Sequence, residues 1–202
     1  MTDTEKSQRH QKRMKRHKEV VDDKIQHADK DKGLLLVITG NGKGKSSSGF
    51  GMVARALGHN MRVGVVQFIK GAYSTGEEAF FRRFPDEVEY HVMGDGFTWD
   101  TQNLDQDIAS AKKGWEVCKQ LIDDPNIDVV LFDELNIVLK MRYLDTDLVL
   151  ADIAKRAEMK HVIITGRGAP EAVIEAADTV SRIEDVKHAF RAGFRAQKGI
   201  EL

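Results

Sequence analysis

Between residues 34 and 57 the chain reads as an apolar run, a glycine-rich turn and a helix, and few folds accommodate that succession. Leu34–Ile38 is continuously apolar, as expected of a strand buried on both faces. The octapeptide TGNGKGKS follows at Thr39–Ser46, and helical spacing then runs from about Lys45 to Leu57, ending at Gly58. Glycines let the backbone turn its N–H groups inward around phosphate oxygens, and the helix adds its positive end. Lys45 supplies a mobile charge and Ser46 a hydroxyl able to ligate Mg²⁺. Gly40, Asn41, Gly42, Lys43, Gly44, Lys45 and Ser46 are therefore expected to bind the triphosphate of a nucleotide, ATP. The motif keeps the Gly-Lys-Ser end of the usual phosphate loop but not its beginning, since Thr39 stands where a glycine is usual. A dinucleotide site is disfavoured because Lys45 occupies the place of the third glycine.

Downstream the alternation continues. Val63–Ile69 and Val88–Met93 read as strands, Leu104–Ile122 as a long helix stopped before Pro125, and Ile127–Phe132 and His161–Thr165 as further buried strands. Helices at about 135–142 and 147–158 lie between the last two, and a helix at about 170–177 precedes a strand at Thr179–Ile183. Such alternation implies an α/β fold, a mostly parallel sheet with helices on both faces, of phosphate-loop (RecA-like) architecture. A chain of 202 residues has room for one such domain, expected over residues 33–202.

Residues 1–32 differ, with ten Lys or Arg, seven Asp or Glu and three His among them. On a helix, Met14, Val21 and Ala28 fall at heptad spacing, with Ile25 one turn beyond Val21. Fixing the backbone costs about 1–2 kcal/mol per residue. Burying the larger of those few side chains returns only about 1.5–3 kcal/mol each. The segment is expected to be disordered, or a lid helix ordered by a ligand or a second subunit.

Apolar residues at 41%, charged residues at 31% and a net charge of −1 describe a globular protein with no general case for nucleic acid. With no long apolar run and no signal segment, the expectation is no membrane and a cytoplasmic location. The single cysteine, Cys118, excludes an internal disulfide and reads as a small buried hydrophobe.

Asp133 and Glu134 follow directly on the strand ending at Phe132, where a carboxylate can hold Mg²⁺ directly or through water. Asp133 also stands where an N-cap of the next helix would. Glu134 is favoured as the metal group alongside Ser46, and Asp133 as partly structural. Phe97 and Trp99 lie in the polar, glycine-rich stretch Gly94–Asn103 after the third strand, expected at the same sheet edge as the phosphate loop. From the residues alone they are either anchors onto the core or the apolar wall of a site for a flat, bulky substrate.

Six motifs in chain order, Thr39–Ser46, Val65–Gly71, Gly96–Gln102, Phe132–Leu135, Val162–Gly168 and Val186–Phe190, resemble the ATP:corrinoid adenosyltransferases of the CobA/BtuR type, from about Gly33 to Leu202. The resemblance implies transfer of the 5′-deoxyadenosyl group of ATP to the Co(I) of a corrinoid, with release of triphosphate. It implies Mg²⁺ or Mn²⁺ as cofactor on Ser46 and Glu134, an electron-donor protein such as a flavoprotein, and a homodimer. It assigns Phe97 and Trp99 to the lower face of the corrinoid, where removing the axial ligand eases reduction of Co(II). With Lys45 they are the catalytic candidates, and Arg55 and Arg167 match positions near the nucleotide. The residues agree with that chemistry in one respect. No evident general base lies near the motifs, and a metal nucleophile attacking carbon needs none. The alternative from another class is a RecA-like ATPase, which needs an arginine in trans, for which Arg167 is the candidate, and a water-orienting group. A corrinoid carrier without catalysis would leave Lys45 and Ser46 unexplained.

Overall fold

A computed structural model of the chain describes residues 3–69, 75–93 and 103–200. The chain divides into two units, one ending at Lys32 and one beginning at Gly33. In the first, α1 (Asp3–Gln26) is a continuous helix with no buried residue. The entropy argument allowed a disordered tail here. Local preferences explain the helix instead: Lys, Arg, Glu and Gln are good helix formers. Asp3 and Glu5 in its first turn and Lys24 in its last complement the helix dipole.

Among the described residues of the second unit, six strands form one wholly parallel sheet. They are β1 (Leu35–Thr39), β2 (Val63–Gln67), β3 (Val88–Val92), β4 (Val129–Asp133), β5 (His161–Thr165) and β6 (Thr179–Arg182). Their order across the sheet is β3-β2-β4-β5-β1-β6. The connecting helices described are α2 (Lys45–Leu57), α3 (Gly76–Phe81), α4 (Leu104–Asp123), α5 (Leu135–Lys140), α6 (Thr146–Ala154) and α7 (Glu171–Ala176). A short 3₁₀ turn follows at Ala189–Ala192.

The apolar runs are continuous because both faces of the sheet are covered. Along β4, Val130 and Phe132 join one cluster with Trp115, Cys118 and Leu121 of α4. Val129 and Leu131 join the other, with Phe50 and Val53 of α2. Cys118 is fully buried, and burial pushes its thiol well above the ordinary range, so it packs as an apolar side chain.

Two departures from the expected elements bear on the site. Strand β4 extends through Asp133, and Glu134 takes the N-cap of α5 with a left-handed φ of 62° and no side-chain cap bond. Asp133 therefore does not cap the helix; its carboxylate is drawn sideways to groups on the flanking strands. Helix α3 is not anticipated by periodicity, being too short to show any. Its signal is the start T-G-E-E, where Thr75 Oγ1 accepts the Glu78 N–H at 3.3 Å.

Candidate functional site

Because every strand runs the same way, the loops after β1, β2, β4 and β5 emerge together at one edge. The phosphate loop leaves β1; Asp133 and Glu134 end β4; Thr165 ends β5, the strand lying between those two. A cavity of about 580 Å³ opens there, lined by Lys43–Ser47, Gln67, Asp133, Glu134 and Arg167, and by Phe50, Glu77, Phe80 and His188 among others. Lys43, Gly44, Lys45, Ser46, Glu134 and Arg167, scattered over 125 positions of sequence, thus meet in one place.

Asp133 is the hub of the polar floor. It accepts from Thr165 Oγ1 at 2.6 Å, from Gln67 Nε2 at 3.1 Å and from the Ser46 hydroxyl. Gln67 and Asp133 are direct partners across the β2–β4 ladder, so the parallel register itself creates that contact. The Thr165 hydroxyl oxygen accepts the backbone N–H of Glu134 at 3.0 Å. Burial raises the Asp133 carboxyl, against the lowering effect of these hydrogen bonds.

Glu134 beside it is in the opposite condition. Its Oε2 is buried and has no hydrogen-bond partner among the described residues, and burial, reinforced by the neighbouring Asp133 charge, pushes its carboxyl up to about 7. Lys45 is only 6% exposed, and its Nζ donates to the Gly42 carbonyl at 2.6 Å. Burial lowers its ammonium, partly offset by Glu134. A buried lysine and a buried carboxylate thus share one cavity, where charges taken out of water demand close pairing.

The glycines of the loop divide in function. Gly40 and Gly42 do not line the cavity. They pack against the chain leaving β6, where a Cβ on either would come within 2.3 Å of the Ile183 or Glu184 carbonyl oxygen. The Gly42 N–H is also spent on the Ile183 carbonyl, at 2.8 Å. Asn41 is exposed and does not line the cavity either. Only Lys43–Ser46 of the expected phosphate-binding stretch face it. Thr39, the position lacking the usual glycine, contributes a side-chain bond instead, its Oγ1 accepting the Ala169 N–H at 3.2 Å. Together with Asn136 Nδ2 donating to the Gly166 carbonyl at 3.2 Å, this bond brackets the turn that carries Arg167.

Arg55 is not brought in. It is exposed in the last turn of α2, about 15 Å along the helix from Lys45, and does not line the cavity. Phe97 and Trp99 lie outside the described residues. Sequence reasoning gave no role to Gln67, Glu77, Phe80 or His188. Gln67 and His188 sit in motifs it singled out, whereas Glu77 and Phe80 come with α3.

Residues 31–202 match the family model described as ATP:corrinoid adenosyltransferase BtuR/CobO/CobP. The chain belongs to that family. The corrinoid adenosyltransferase of Pseudomonas aeruginosa is 65% identical over 198 residues, 98% of each chain. Those of Escherichia coli K12 and Salmonella typhimurium are 45% and 43% identical over 194 residues, 96% of this chain and 98% of theirs. Among solved structures, the flagellar accessory protein FlaH of Methanocaldococcus jannaschii aligns with a TM-score of 0.49 at 16% identity, over 75% of this chain and 71% of that one. No helix among the described residues is long and apolar enough to cross a membrane.

Proposed function

We propose that this chain transfers the 5′-deoxyadenosyl group of ATP to the Co(I) centre of a corrinoid and releases triphosphate. The observation that carries the reading is the convergence of Lys45, Ser46, Glu134 and Arg167 on one cavity in a chain of this family. The cobalt-centred electron pair forms the Co–C bond at C5′ while the C5′–O bond breaks, and that bond's electrons leave on the triphosphate.

Lys45 and Arg167 hold the polyphosphate and oppose the negative charge that builds on it as it departs. Ser46 and Glu134 fit a hard divalent cation, since both offer oxygen and Glu134 Oε2 lacks a partner among the described residues. Mg²⁺ or Mn²⁺ held by them would neutralise phosphate charge and fix the triphosphate's orientation. Asp133 touches neither substrate in this scheme; it orients the Ser46 hydroxyl. No proton moves in the step, so no base is required. Phe97 and Trp99 take the corrinoid's lower face, a role that rests on the family resemblance, as do the homodimer, the flavoprotein donor and the cytoplasmic setting.

An ATPase of the same architecture would use a cavity group such as Glu134 to orient water, and the products formed decide between the two readings. Incubation with ATP, Mg²⁺, a strong reductant and a corrinoid should yield a Co–C bonded product and intact tripolyphosphate. Production of only ADP and orthophosphate would overturn the proposal.

A further inference from the structure

The Val186–Phe190 motif has no part in the reaction as written, yet His188 at its centre lines the cavity. Its position is fixed by a seam between the chain leaving β6 and the phosphate loop. Ile183 N–H donates to the Thr39 carbonyl, and Gly42 N–H donates to the Ile183 carbonyl, both at 2.8 Å. Gly40 and Gly42 allow the contact, since any side chain there would strike Ile183 or Glu184. The seam sets His188, five residues beyond Ile183, on the same cavity as Lys43–Ser47.

The ring's hydrogen bonding then fixes what it offers. His188 Nδ1 accepts the backbone N–H of Phe190 at 3.2 Å, capping the 3₁₀ turn. With Nδ1 an acceptor, the neutral ring carries its proton on Nε2, leaving one N–H donor. Lys43, Lys45 and Arg167 line this cavity, as do Glu77, Asp133 and Glu134; with Asp133 bonded to Thr165, Gln67 and Ser46 and Glu134 given to a divalent cation, the lysines and the arginine call for an anion. We infer that His188 is a phosphate-binding residue, its Nε2–H donating to an oxygen of the nucleotide's polyphosphate. This rests on the triphosphate reading of the cavity.

The test separates the donor from the cap. In His188→Asn the amide reaches the place of Nδ1 and keeps a cap acceptor, but falls short of Nε2. In His188→Gln the amide nitrogen reaches the place of Nε2, and the cap is lost. Binding of inorganic tripolyphosphate and of adenosine to each full-length variant is measured by calorimetry, with thermal melts alongside. His188→Asn should weaken tripolyphosphate on the order of tenfold, the lower end for a hydrogen bond to a charged group. His188→Gln should stay within about threefold of wild type, despite a lower melting temperature. Adenosine binding should be unchanged in both.

If His188→Asn binds tripolyphosphate like wild type, or His188→Gln is the weaker of the two, the residue is only a helix cap and the inference fails. Loss confined to adenosine would place the ring on the nucleoside and overturn it equally. Should the wild-type protein bind no tripolyphosphate, the reading of the cavity beneath the inference falls with it.

Discussion

The pH dependence of metal–nucleotide binding follows from Glu134. In the free protein its carboxyl is pushed up to about 7, by burial first and by the Asp133 charge second. A divalent cation binds only the ionised form. The ionised fraction is roughly one in eleven at pH 6 and roughly ten in eleven at pH 8. The dissociation constant of the metal–ATP complex should therefore fall about tenfold between those values and level off above them. Binding at pH 6 should release roughly one proton, read as a buffer-dependent enthalpy in calorimetry. ATP carries its own titrating phosphate, so the decisive quantity is the ratio of wild-type affinity to that of Glu134→Gln, in which the side chain never ionises. A ratio that does not vary with pH would refute the assignment of Glu134.

The same shift has a stability counterpart of the opposite sense. A carboxyl whose folded value is raised from 4.5 to about 7 stabilises the free protein fully below 4.5, and that contribution is lost as pH rises through 7. The loss amounts to at most about 3 kcal/mol. Wild type should accordingly lose melting temperature relative to Glu134→Gln across that window, and saturating metal–ATP should reverse the loss. If wild type instead gains on the variant as pH rises without ligand, the carboxylate is already neutralised in the free protein and the premise is wrong.

Gly42→Ala places a Cβ 2.3 Å from the Glu184 carbonyl oxygen, so it should lower stability by about 1–3 kcal/mol and abolish nucleotide binding. Melting curves with and without ATP check both. Asn136→Ala unties the Gly166 carbonyl and should cost about 1–3 kcal/mol as well as weaken ATP, whereas Arg167→Ala should weaken ATP with little change in melting temperature. Lys45→Ala should stay inactive even with chemically prepared Co(I), because it acts on the triphosphate. Trp99→Ala should regain activity with Co(I) and fail only from Co(II); equal failure of both variants with Co(I) would remove the role given to Trp99.

The parallel sheet was legible because burial on both faces forces uninterrupted apolar runs, and β1, β4 and β5 each have one. That Lys45 and Ser46 line one cavity was legible because the two are contiguous in sequence. What lay beyond reach was contact between distant segments. That Gly40 and Gly42 are glycines because residues 183 and 184 press on them cannot be read from a turn whose glycines already have an explanation as phosphate ligands. Arg55 shows the complementary limit: it shares a helix with Ser46, but the helix carries it away from this cavity. Helix α3 escaped notice at six residues, although its capping sequence was in plain view.

Two adjacent acids at a strand end invite a choice between them, and their surroundings differ. Strand geometry sends consecutive side chains to opposite sides, but β4 ends at Asp133 and the left-handed turn at Glu134 breaks that alternation. Both carboxylates thereby reach the same cavity. Asp133 spends its oxygens on Thr165, Gln67 and Ser46, so a ligand binding there directly would have to break bonds already made. Glu134 keeps an oxygen buried and unpaired, a cost the free protein bears and a cation would relieve. Asp133→Asn should therefore act through Ser46, raising the KM for metal–ATP while keeping the pH slope set by Glu134. Loss of that slope in Asp133→Asn, with its retention in Glu134→Gln, would mean that the two roles are reversed.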